Sequence, residues 1–226
     1  MGTTTLGHIA ALFTVIVWGT TFISTKILLL DFTPLEILFF RFILGFIVLC
    51  LVKPQRLKTK GISEEKYFIG AGLCGITLYF LLENVALLYT YASSVCLILA
   101  FVPFLTALAA KFLLGEDTLS SNFFVGFICA LTGVIMIIFN GSVILKLNPI
   151  GDLLAFLAGV VWAMYSILIR KISSFQYNTV LCTRNIFGYG LLLMLPALLF
   201  MDFQWGFYRL DDHANMFNLL YLGICA

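Results

Sequence analysis

The sequence predicts an all-α polytopic membrane protein, an inverted repeat of five transmembrane helices per half (5+5), of which this chain holds seven complete helices plus the start of an eighth. Three observations carry that prediction: an extreme apolar composition, a series of helix-length apolar runs, and a self-similarity in which Trp18 matches Trp162. Of 226 residues, 62% are hydrophobic and 11% charged, with 23 Phe and a mean hydropathy of +1.09. A soluble domain is about 45–50% apolar and about 25% charged. The apolar surface left over here would aggregate in water, whereas lipid accommodates it. At roughly 20 residues per crossing, the length holds at most about eight or nine spans. Soluble enzymes, nucleic-acid binders and secreted disulfide scaffolds are excluded. The formal charge of +2 marks no polyanionic partner.

The first apolar run covers 6–28. Met1 to Leu6 holds no Lys or Arg and no small-residue cleavage site comes after it, so the run is a membrane helix and not a removed leader. The second, 34–52, opens at Pro34, where a first helical turn tolerates a missing N–H. The third, 67–88, comes after a basic loop at 53–66. Tyr89–Thr90–Tyr91 leads into the fourth, 92–114, which contains Pro103, and Gly115–Glu116–Asp117 leads into the fifth, 119–140. Gly126, Ala130 and Gly133 give the fifth a small-residue packing face, and Glu116 reads as a structural helix-end residue. After Asn140–Gly141–Ser142 the sixth run, 149–171, opens at Pro149; the seventh is 178–201. An aromatic, acidic loop at 202–213 precedes the eighth, which opens near Asn215 and reaches Ala226. Helices are required because only they and closed barrels satisfy their own backbone in hydrocarbon.

Basic residues set the orientation. Lys53, Arg56, Lys58, Lys60, Lys66, Lys111, Arg170, Lys171 and Arg184 fall on one side; Lys26, Arg41, Lys146 and Arg209 fall on the other. The N-terminus is therefore expected in the cytoplasm. Cys50, Cys74, Cys96, Cys129, Cys182 and Cys225 lie one each in six different apolar stretches, with no C-x-x-C and only His8 and His213 to accompany them. They read as small lipid- or core-facing residues, with no metal site. No G-x-x-x-x-G-K is present, so the chain carries no ATP-driven motor, and no cofactor is expected.

The repeat aligns Leu6–Gly7–His8 with Ile150–Gly151–Asp152, Val17–Trp18–Gly19 with Val161–Trp162–Ala163, and Lys26 with Arg170. One residue out of register Arg41 meets Arg184, and Ala71–Gly72–Leu73–Cys74–Gly75 resembles Leu222–Gly223–Ile224–Cys225–Ala226. The first repeat spans 6–141 and the second 149–226. Five helices is an odd number, so the second copy enters from the opposite face. That is the arrangement in which two halves rock around a midplane site. Residues 76–140 have no counterpart, so about 65 further residues are expected and the chain is expected to be a fragment of a ten-helix unit.

These residues resemble the drug/metabolite transporter superfamily, specifically its EamA-type branch. The resemblance rests on Trp18–Gly19, Pro34 followed by Arg41, Glu83–Asn84–Val85–Ala86–Leu87, Ala92–Ser93–Ser94, Pro103, Gly115–Glu116, Gly126 with Gly133, and the second copy at Trp162. It covers essentially the whole chain, through an ordered set of weak motifs. It implies an inner-membrane carrier, bacterial by the same likeness, with two five-helix bundles around a central cavity moving small metabolites or drugs, often outward.

Candidate pathway residues emerge from polarity in a greasy chain. His8, Ala11, Val15, Trp18, Thr21 and Thr25 form a polar or small stripe on helix 1, matched on helix 6 by Asp152, Ala155, Gly159, Trp162, Ser166 and Arg170. Such faces either line a pathway or let helices approach closely. Gly70, Thr77 and Asn84 are spaced by seven, so they share one face of helix 3. An ionisable residue in a span is functional by default, so Glu83 either holds a coupling proton or anchors a helix end at the headgroups. Asn84 is a substrate hydrogen-bonding candidate. Arg41 either binds an anionic substrate bidentately or pairs with Glu36, Glu83 or Asp31, the tie being favoured; for Arg184 snorkelling competes. Pro103 is either a hinge or unwound binding point, or a passive kink. The expected partners are a small-molecule substrate, a coupling proton or cation, and the bilayer. Two other functions remain open: a membrane-embedded enzyme on lipid-linked substrates, using Asp211–Asp212–His213, and a non-transporting scaffold.

Overall fold

The computed structural model describes residues 3–138, 148–200, 203, 205 and 207–225. Eight helices appear in them: α1 Thr3–Leu28, α2 Pro34–Val52, α3 Ile62–Tyr89, α4 Ala92–Leu114, α5 Ser121–Ile138, α6 Pro149–Ser173, α7 Thr179–Phe200 and α8 His213–Ile224. The described residues contain no strand. Six helices (α1–α4, α6 and α7) are long and apolar enough to cross a bilayer. The chain is an all-α integral membrane protein. The expected end of the fifth run and the Asn140–Gly141–Ser142 turn lie outside the described residues.

Local chemistry sets the helix ends. At α2, the Thr33 hydroxyl accepts from the Glu36 amide at 3.3 Å while the Glu36 carboxylate accepts from the Thr33 amide at 2.8 Å. This reciprocal capping box satisfies two orphan donors, and Pro34 starts the helix. At α6, Asn148 Oδ1 accepts from the amides of Ile150 and Gly151 at 3.1 and 3.2 Å, again ahead of a proline. Gly115 ends α4 with φ +69°, a left-handed conformation that a side chain would strain. Helix α3 begins at Ile62, five residues before the apolar run, because Glu64 and Glu65 in its first turn favour a helix N-terminus.

Two helices are irregular where the sequence reads as continuous. Leu73–Leu78 of α3 is a π-helical segment. In α4 the chain breaks at Ala100 and Phe101, and Pro103 sits in the first turn of the second segment, Val102–Leu114. Pro103 has no N–H to give to the carbonyl of Leu99.

The packing is reciprocal. Helix α3 crosses α6 and α7, while α8 packs on α1 and α2. A Cβ added at Gly72 would lie 2.7 Å from the Gly190 amide of α7; one added at Gly223 would lie 3.1 Å from the Arg41 carbonyl of α2. Glycine thus lets α3 and α8 approach a partner backbone at two comparable crossings. Between these helices sits a core containing Leu35, Leu38, Phe68, Met194 and Leu222. Outward, α1 leaves Leu12, Phe13 and Ile16 at least 60% exposed, an apolar surface compatible with hydrocarbon. Lys26 donates to the carbonyls of Leu87 and Thr90, closing the end of α3. Arg170 pairs with Glu116 on the surface, a tie between α6 and the turn after α4.

Candidate functional site

A cavity of about 550 Å³ opens between α1, α2, α3, α4, α6 and α7. Its walls are largely aromatic. Trp18 and Trp162, each near the middle of its helix, meet edge to face at 5.7 Å between centroids and 89° between planes. Such a T-shaped contact places the positive edge of one ring on the negative face of the other. Trp162 also stands 4.5 Å from Tyr79 and 5.1 Å from Tyr165. Phe42, Phe80 and Phe187 complete an apolar wall suited to a flat, greasy body.

Two charged groups share this cavity. Glu83 is buried and accepts a hydrogen bond from the Tyr79 hydroxyl at 2.8 Å. Arg41 is buried as well, its guanidinium carbon 4.4 Å from the centroid of Phe80 and 5.1 Å from that of Phe42. Cation–π contact is therefore the direct company of that charge. Arg41 and Glu83 interact electrostatically, yet among the described residues no carboxylate approaches Arg41 within 4.0 Å.

Of the acids expected to tie Arg41, Glu83 interacts with it electrostatically from beyond 4.0 Å, whereas Glu36 and Asp31 are engaged elsewhere. Glu36 instead receives two parallel hydrogen bonds of 3.0 Å from Arg209, which comes from the short 3₁₀ turn Phe207–Leu210. That carboxylate holds the Arg209 guanidinium above its ordinary range. Asp31 accepts from Asn215 Nδ2 at 2.8 Å. With Glu36 and Asp31 so engaged, Arg41 keeps its five donors for the cavity. Its counterpart Arg184 donates to the Lys53 carbonyl at 2.6 Å and to the Gln55 carbonyl, so it fixes a loop.

Six of the nine sequence candidates line the cavity: Trp18, Thr21, Arg41, Glu83, Pro103 and Trp162. Three stand behind its walls. Thr77 donates to the Gly190 carbonyl at 3.0 Å, tying α3 to α7. Asn84 is fully buried, its Nδ2 donating to the Pro34 carbonyl at 3.2 Å and its Oδ1 without a partner among the described residues. Ser166 turns back onto the Trp162 carbonyl at 2.9 Å. Sequence reasoning missed Tyr79 and Phe80. The Tyr79–Glu83 spacing of four, one helical turn, was the signal available for the first. Asp212, of the acidic loop cluster, caps α8 through the Ala214 amide at 2.9 Å. No group of three His, Cys, Asp or Glu among the described residues could hold a metal.

Comparison with known proteins adds a family. The model of the EamA-like transporter family matches residues 5–139. A protein of Archaeoglobus fulgidus described as an uncharacterized transporter is 26% identical over 201 residues, 87% of this chain and 68% of its own. The Bacillus subtilis uncharacterized transporter YyaM is 31% identical over 163 residues, 68% of this chain and 52% of its own. An uncharacterized transporter of Clostridium kluyveri is 27% identical, covering 96% and 72%. The chain spans between about half and three-quarters of the length of these relatives. One crystal structure superposes with a TM-score of 0.62 at 19% identity, over 93% of this chain and 73% of that one. That likeness concerns the fold.

Proposed function

Given that the chain belongs to the EamA-like transporter family, we propose that it is part of a secondary transporter that moves small metabolites or drugs by alternating access through the aromatic cavity. The observation that carries the reading is the pairing of Trp18 with Trp162 across that cavity. They are equivalent positions of the two sequence repeats. A site near the membrane midplane between inverted halves is where such carriers bind their cargo. The reciprocal seating of α3 on α6–α7 and of α8 on α1–α2 supports the same two-repeat organisation, 6–141 and 149–226.

In this reading the substrate's flat apolar part lies against Trp18, Trp162 and Phe80, and one anionic group meets Arg41. Charge-assisted hydrogen bonds from a guanidinium suit a carboxylate or phosphate. Glu83, held by Tyr79, carries the coupling proton. Pro103 breaks α4 beside the cavity and serves as the hinge. Net movement is outward, from a bacterial inner membrane with the N-terminus in the cytoplasm.

Proteoliposomes containing the full-length protein test this. A labelled metabolite panel should show counterflow, with accumulation driven by an imposed pH gradient. Glu83→Gln should keep counterflow and lose gradient-driven accumulation. Absence of flux for every member of the panel would overturn transport. Accumulation that survives Glu83→Gln would overturn the coupling role.

A further inference from the structure

A second cavity, of about 580 Å³, opens between the end of α2, the loop after it, and α7. It shares no lining residue with the aromatic cavity. Its outer end is cationic. Arg184 is buried, and two of its N–H groups are given to the carbonyls of Lys53 and Gln55, which fixes the guanidinium at the membrane edge. Arg56 stands exposed at the same end, with Lys53, Lys58 and Lys60 along the loop. Tyr189 on this wall donates its hydroxyl to Glu65 at 2.5 Å, and Glu64 accepts from the Lys60 amide in the loop at 3.0 Å.

Toward the membrane interior the lining turns apolar. Gly188 and Leu192 succeed Arg184 at spacings of four, so they lie on one face of α7, roughly 6 and 12 Å deeper. Phe46 and Cys50 of α2 form the facing wall. Gly188 lets the Phe46 ring pack against α7, since a Cβ there would lie 3.3 Å from that ring; a larger residue would push the ring into the cleft. A fixed cation at the interface leading to an apolar channel reproduces the order of a phospholipid, headgroup first and acyl chain inward. Basic pockets between helices at one membrane face select anionic headgroups.

We propose that the cleft between α2 and α7 binds an anionic phospholipid, its phosphodiester at Arg56 and Arg184 and an acyl chain along Phe46, Gly188 and Leu192. A free phosphate would use the same two arginines but has no use for the lane, and the test separates the two.

The full-length protein is reconstituted in nanodiscs of equimolar phosphatidylglycerol and phosphatidylcholine, and retained lipid is read by native mass spectrometry. Phosphatidylglycerol should be retained over phosphatidylcholine. Arg56→Gln, an exposed position, should lower that retention by about five-fold, the effect of one basic residue at an anionic surface. Gly188→Val should lower it while both arginines remain, and millimolar inorganic phosphate should not displace the lipid. Equal retention of the two lipids, or no change in either variant, overturns the proposal. So does displacement by inorganic phosphate with Gly188→Val indifferent, which marks a free-phosphate site.

Discussion

Replacing Arg41 by Gln separates the two roles open to a buried arginine in a membrane helix. If Arg41 were half of a buried ion pair, removing it would strand its partner and cost about 3–5 kcal/mol. At roughly 2–4 °C per kcal/mol for a chain of this length, the unfolding midpoint would fall by roughly 6–20 °C. The structure gives a different sum. No carboxylate among the described residues lies within 4.0 Å of Arg41, and its close company is Phe80 at 4.4 Å and Phe42 at 5.1 Å. Loss of those cation–π contacts costs about 2 kcal/mol in a dry site. Removal of the buried charge returns several kcal/mol of desolvation penalty but takes from Glu83 the nearby cation it interacts with, so the midpoint in detergent should fall by less than the roughly 6 °C of a broken pair. Transport should suffer, because a charge-assisted hydrogen bond to cargo contributes about 1.5–3 kcal/mol. That is a loss of roughly 10- to 150-fold in kcat/KM. Arg41→Lys keeps the charge without the planar fork and should fall between. Thermal unfolding of purified protein and flux per folded molecule in proteoliposomes are read on the same preparations. A midpoint lowered by more than about 6 °C with flux intact would show that Arg41 is a structural tie and the reasoning is wrong.

The crossing of α3 and α7 should be sensitive to a single methyl. A Cβ at Gly190 would sit 2.4 Å from Ile76 Cβ, so Gly190→Ala should cost about 1–3 kcal/mol through overpacking, read as a lower unfolding midpoint; an unchanged midpoint would mean the helices part freely. At the membrane edge, the Tyr177 hydroxyl donates to Glu64 at 2.7 Å, and this bond raises the Tyr177 pKa above its usual value near 10.0. A group whose folded pKa is raised adds stability below its unfolded pKa and loses it as pH rises through the folded one. Stability should therefore decline above about pH 10, and Tyr177→Phe should flatten that part of the profile in a pH series of thermal melts.

Composition and run lengths were enough to determine the solvent, the helical class and the approximate ends of α1, α2, α4, α6 and α7, because each span must close its own backbone hydrogen bonds in lipid. The self-similarity of the sequence aligns Trp18 with Trp162, the two rings that touch in the fold. Which face of α3 meets the cavity stayed hidden. Gly70, Thr77 and Asn84 share a face only on a regular helix. The π segment Leu73–Leu78 adds about one residue to a turn, which rotates the remainder of α3 by roughly 100°. Thr77 consequently turns to α7 and Asn84 to α2, while Tyr79 and Glu83 enter the cavity. The partners of the acids were equally hidden. Glu36 looked close to Arg41 along the chain, but Arg209 reaches it from far downstream. Sequence determines which residues a span can hold in lipid, since that depends on each helix alone. Which charge meets which, and which side chain faces the cavity, depends on helix rotation and crossing, and these are set only when distant helices pack.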